Sequence, residues 1–96
     1  MYSVDDLLNR ATAEKAELKL RVGQPPIIVL GGEQRMAEGP EVTFEDAEQF
    51  LLSLANSRQR RIFRTKGWLL FFHEHRRQRF LVLVKFVEEH IEFDIQ

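Results

Sequence analysis

The sequence predicts an α+β fold, an antiparallel sheet of five or six strands with its helices packed on one face, in the order α-β-β-β-α-α-β-β-β. Three observations predict it. Leu18, Leu20 and Val22 alternate with Glu17, Lys19 and Arg21, and a pleat of period two turns the first set inward and the second outward. The stretches Val4–Ala11 and Ala47–Ala55 repeat apolar residues at the three- and four-residue spacing of a helix with one buried stripe. The remaining apolar runs are short, β-branched or aromatic, and divided by turns brief enough to join neighbouring strands antiparallel.

Each element follows from local chemistry. Ser3 with Asp6 three residues on forms a capping-box pattern, flanked by Tyr2 and Leu7 as a hydrophobic staple. The helix they start buries Val4, Leu7, Leu8 and Ala11 and ends in the polar run before Glu17. The strand from Glu17 to Val22 stops at Gly23-Gln24-Pro25-Pro26, because proline has no N–H for a ladder and extends the residue before it. Ile27–Leu30 is a second strand, and Gly31-Gly32 the dipeptide of a tight hairpin. Gln34 and Met36 belong to a weak third strand that dissolves in Ala37-Glu38-Gly39-Pro40. Thr43 as N-cap and Asp46 at N3 start a helix that covers the sheet with Ala47, Phe50, Leu51, Leu54 and Ala55. Asn56-Ser57 separates it from a basic helix, Ser57–Lys66, capped by Gly67. Trp68–Phe72 is a strand, His73–Gln78 a turn, and Phe80–Val87 a central strand hidden on both faces or nearly so. Glu88-Glu89 turns the chain into a last strand, in which Ile91, Phe93 and Ile95 alternate with charge. Strand pairs with helices on one side give a PAS-like general shape.

Composition excludes more than it assigns. Ninety-six residues at 44% hydrophobic suit a single domain spanning 1–96. A formal net charge of -1 argues against a polyanion as the main partner, and no cysteine is present for disulfides, thiolate metal sites or thiol nucleophiles. Acids in the opening residues and the absence of a bilayer-length apolar run point to a soluble, cytoplasmic chain without membrane insertion. No paired carboxylates or nucleophile–base set is placed by the pattern, so the chain is expected not to be an enzyme and to carry no cofactor.

Three features invite a functional reading. His73-Glu74-His75, with His90 as a third ligand, could hold a metal if the segment is strand-like, although a solvated turn explains it more simply. Eight of the fourteen Lys and Arg residues lie between Arg58 and Arg79, with Glu74 the only acid among them. A basic helix beside aromatics could follow nucleic acid, but Trp68, Phe71 and Phe72 read more simply as core, so an acidic protein partner or a solvated face is favoured. Finally, Trp68–Phe72 and Phe80–Val87 lack polar alternation, which leaves an apolar sheet face for a partner or a second copy to cover. The residues expected at such an interface are Arg58, Arg60, Arg61, Arg64, Lys66, Trp68, Leu70, Phe72, Leu81 and Leu83.

Asp6-Leu7-Leu8, Leu18-Lys19-Leu20, Gly23-Gln24-Pro25-Pro26, Gly32, Thr43-Phe44-Glu45-Asp46, Gln59, Phe63, Gly67 and Arg79-Phe80-Leu81-Val82 stand in an order that resembles the N-terminal domain of the PilT-like type IV pilus retraction ATPases, in the secretion ATPase superfamily. Three places depart from that family. Its Asp-x-His pair on the first strand is Glu17-Leu18-Lys19 here, its acidic strand after Gly67 is Trp68-Leu69-Leu70-Phe71, and where it runs into basic residues after Arg79-Phe80 this chain has Leu81-Val82-Leu83-Val84-Lys85-Phe86-Val87-Glu88. No Gly-x-x-x-x-Gly-Lys-[Ser/Thr] occurs, and without it the backbone cradle and lysine that hold a nucleotide's phosphates are missing. The resemblance therefore implies a stand-alone relative or excised piece of a hexameric motor, a non-catalytic interaction or assembly module whose protein partner is a pilus or secretion motor component. The likeness to PAS-like sheets keeps a small-molecule sensor as the alternative.

Overall fold

A computed structural model describes residues 2–96. Its elements follow the expected order: α1 (Val4–Glu14), β1 (Glu17–Leu20), β2 (Ile27–Leu30), β3 (Glu33–Met36), α2 (Phe44–Leu54), α3 (Ser57–Lys66), β4 (Trp68–His75), β5 (Gln78–Val87) and β6 (His90–Ile95). The strands form one sheet in the spatial order β3-β2-β1-β6-β5-β4, every pair antiparallel. Two three-stranded meanders, one from each half of the chain, thus join where β1 meets β6. The helices cover one face. Leu18, Leu20, Ile28, Val82, Val84, Ile91, Phe93 and Ile95 point into the core from the sheet, and Leu7, Leu8, Ala11, Phe50, Leu51, Leu54 and Phe63 meet them from above. Phe50 sits edge-on to Phe93 at 5.9 Å between centroids, and Phe63 stacks on Phe86 at 4.4 Å. Those two contacts fix α2 over β6 and α3 over β5.

The helix starts follow their sequence signals unequally. Thr43 and Asp46 form a full reciprocal capping box, and so do Asn56 and Gln59. At α1 only half the box is made: the Asp6 N–H donates to Ser3 Oγ at 3.5 Å. Tyr2 is bound elsewhere. Its N–H donates to Asp46 Oδ1 at 3.1 Å and its hydroxyl to the Pro40 carbonyl, so the residue ties the start of the chain to the loop before α2. Gly39 has φ +129°, and a Cβ there would lie 2.9 Å from the Tyr2 hydroxyl. Glycine is required at that position both by the backbone and by the close approach.

Three sequence expectations need correction. β1 ends at Leu20, and Val22 forms an isolated parallel bridge to Val42, because the chain bends away to meet the loop through Gly23 N–H to Val42 O and Val42 N–H to Gln24 O. β4 runs on through His73-Glu74-His75, and the turn is the two-residue Arg76-Arg77, with both residues at positive φ (49° and 67°). β5 is an interior strand, but second from the β4 edge and not central, and only Phe80, Val82 and Val84 are buried; Leu81, Leu83, Lys85 and Val87 face outward, half-exposed. No helix covers that outer side, so the unbroken apolar run reflects an uncovered sheet face and not burial on both sides.

Candidate docking surface

The register of β4 on β5 assembles the outer face. Trp68 lies opposite Lys85, Leu70 opposite Leu83, Phe72 opposite Leu81 and Glu74 opposite Arg79. Directly opposed residues share a face. Trp68, Leu70 and Phe72 are 52%, 51% and 55% exposed, values that make them surface residues and overturn the reading of Trp68 and Phe72 as core; Phe71, on the other face, is buried as expected. With Leu81 and Leu83 they form one contiguous apolar patch at the β4 side of the sheet.

Cations flank this patch. The Arg79 guanidinium stands 3.9 Å from the centroid of Phe72, and Lys66 Nζ lies 5.9 Å from that of Trp68, both within the range of a cation–π attraction. Towards the centre of the sheet the patch ends in charge. Arg21 pairs with Glu92 (Nε–Oε1, 3.1 Å) and Asp94 (2.6 Å) and donates to the Phe93 carbonyl at 2.9 Å. This half-buried cluster satisfies the middle strands with polar contacts, which confines the apolar surface to β4 and β5 on that side. Neither the Arg21 cluster nor the Arg79–Phe72 contact is foreseen from the sequence. The signal available is the alternation of β6, whose outward Glu92 and Asp94 call for a cation nearby, which Arg21 supplies just past the end of β1.

The basic helix belongs to the other layer. Arg58, Arg61, Arg64 and Lys66 are exposed on α3, whereas Arg60 is half-buried and donates to the Ala55 carbonyl at the end of α2. The ten expected interface residues therefore divide between two surfaces, an apolar one on the outer face and a basic one on the helical side. They meet at the β4 edge, where Gly67 at φ +83° ends α3 through its N–H bond to Phe63 O (2.7 Å) and Lys66 reaches Trp68.

The histidines do not converge. His73 and His75 do share the inward-facing side of β4, but His75 Nε2 lies 2.7 Å from Asn9 Oδ1 and its Nδ1 3.6 Å from Asp5, docking the end of β4 on α1. His90 opposes Val87 while His73 opposes Phe80. Seven residues of strand, about 23 Å at ~3.3 Å each, divide the two sites. Among the described residues no group of three or more metal-ligating side chains forms, and no helix is long and apolar enough to cross a membrane.

Comparison with known protein families and with curated proteins finds no match. Solved structures do match. The pilus retraction motor PilT, determined with bound ADP, superposes with a TM-score of 0.89 at 19% identity, covering 100% of this chain and 29% of PilT. The ATPase DotB of Legionella pneumophila gives 0.78 at 17% identity, over 97% of this chain and 27% of its own length. DotB of Yersinia pseudotuberculosis gives 0.71 at 15%, over 97% and 29%. The chain thus spans less than a third of each of these motors, and at such identities what is shared is the fold. That fold is the one of the PilT N-terminal domain.

Proposed function

We propose that this chain is a non-catalytic docking module that works with a pilus or secretion motor, through the outer face of β4 and β5. The observation that carries the proposal is the patch of exposed Trp68, Leu70 and Phe72 with half-exposed Leu81 and Leu83, on a sheet face that none of the helices covers. Exposed apolar patches of this kind mark interaction sites, and exposed aromatic residues with an arginine against one of them, Arg79 on Phe72, have the composition of interface anchors. The likeness to PilT and DotB supplies the class of partner. In the partner's absence the same patch pairs two copies, since a flat apolar surface is complementary to itself.

Three measurements test this. The purified chain immobilised on a sensor should bind a PilT- or DotB-type ATPase hexamer, and Leu70→Lys with Phe72→Ser should weaken that binding at least tenfold. The chain alone should release no phosphate from ATP. Light scattering of the free chain should show a dimer that the same double variant converts to monomer. A wild-type chain that ignores the hexamer and stays monomeric at high concentration overturns the reading.

A further inference from the structure

The edge of the sheet on the β4 side is built to accept another strand. β4 has a single neighbour, β5. The Phe86 N–H donates to the Gly67 carbonyl, which sets the phase of the ladder: Leu69, Phe71, His73 and His75 turn their backbone groups to β5, while Trp68, Leu70, Phe72 and Glu74 turn theirs away from the sheet. Three of the residues that offer free N–H and C=O groups, Trp68, Leu70 and Phe72, are therefore the same ones whose apolar side chains lie exposed on the outer face, and the fourth is Glu74. The opposite edge is protected. β3 has four residues, three of them the polar Glu33, Gln34 and Arg35, whereas β4 has eight and opens with five apolar ones, with no proline or bulge and with Glu74 as its one acid, near the far end.

We infer that β4 pairs antiparallel with an extended segment of a partner protein in which apolar residues alternate with acids. This rests on the docking reading above and names its mode. In such a pair, partner residues opposite Trp68, Leu70 and Phe72 place their side chains on the outer face, beside the apolar patch. The intervening ones fall on the inner side, the side of α3, which contacts β4 and carries the exposed Arg58, Arg61 and Arg64. Lys66 stands at one end of the edge and Arg76-Arg77 at the other. That charge also selects against a second copy at this edge, which leaves self-pairing to the outer face. Antiparallel pairing of two β4 edges would bring Lys66 of one copy to the Arg76-Arg77 turn of the other, and like charges disfavour that arrangement.

The test uses capped nine-residue peptides of alternating valine and glutamate, read by fluorescence of Trp68, the only tryptophan. The unmodified peptide should bind, with affinity falling as salt rises, and the valine–lysine counterpart should not. N-methylation of the valines, whose amides face β4 in this register, should weaken binding at least tenfold; N-methylation of the glutamates should leave it within twofold. Equal binding of the two methylated peptides, or loss confined to the glutamate-methylated one, overturns antiparallel strand addition. So does a chain that ignores every peptide, or whose Trp68 responds only to a single-stranded oligonucleotide. A chain that still binds the motor hexamer in those cases keeps its docking role and loses only this mode.

Discussion

Asp46 shows how one side chain joins distant parts of the chain. It is 2% exposed, yet its carboxylate accepts the Thr43 N–H at 2.9 Å and the Tyr2 N–H at 3.1 Å. Burial pushes its pKa up, but the bonds from the Thr43 and Tyr2 backbones and the Thr43 side chain outweigh that and hold the carboxyl below its ordinary 3.8. A carboxylate with a folded pKa below its unfolded one stabilises the fold above the unfolded value and loses that contribution as pH falls through the folded value. Asp46→Asn should therefore be less stable than wild type near neutrality, and the gap measured by urea unfolding should close below about pH 3.8. Asp46→Ala, which also removes the cap, should cost about 1–3 kcal/mol at pH 7. The N3 role of Asp46 is written locally in Thr43-Phe44-Glu45-Asp46. Its bond to Tyr2, 44 residues away, leaves no trace in the sequence, which is why Tyr2 reads there as a staple for α1.

At the scale of elements, legibility tracks how local the cause is. Caps, alternation and the Gly-Pro-Pro break sit within a few residues, so the order of helices and strands is readable from the sequence. The β4–β5 hairpin is not bounded correctly because its turn carries no glycine or asparagine: Arg76 and Arg77 both adopt positive φ, as do Glu88 and Glu89 in the next hairpin. Side chains with a Cβ enter that region at a cost, and Asn-Gly is the pair that enters it most easily. Replacing Arg76-Arg77 by Asn-Gly should thus stabilise the fold by about 1 kcal/mol, seen as a higher urea midpoint with an unchanged slope. Excess hydrophobicity marks Trp68, Leu70, Phe72, Leu81 and Leu83 in the sequence, yet periodicity alone does not say which side of a continuous apolar strand is covered. Only the placement of all three helices on one face decides that.

The whole molecule is a two-layer structure with one face finished and the other left open, and that asymmetry makes a prediction sharper than any contact. On the inner face Val82 and Val84 are wholly buried, and truncation leaves a cavity in the core between sheet and helices. Val82→Ala should lower stability by about 1–3 kcal/mol, the usual consequence of deleting buried methyl groups. On the outer face Leu70 and Phe72 already meet solvent, so Leu70→Lys with Phe72→Ser should change the stability of the free monomer by no more than about 0.5 kcal/mol. If those two positions were part of the core, the double variant would unfold at much lower urea than wild type. If they are a docking surface, its unfolding midpoint holds at dilutions where the chain is monomeric, while partner binding and self-association are lost. Stability and association are thus carried by opposite faces of the same two strands, and alternate residues of β5, Val82 and Leu83, should report on one without the other.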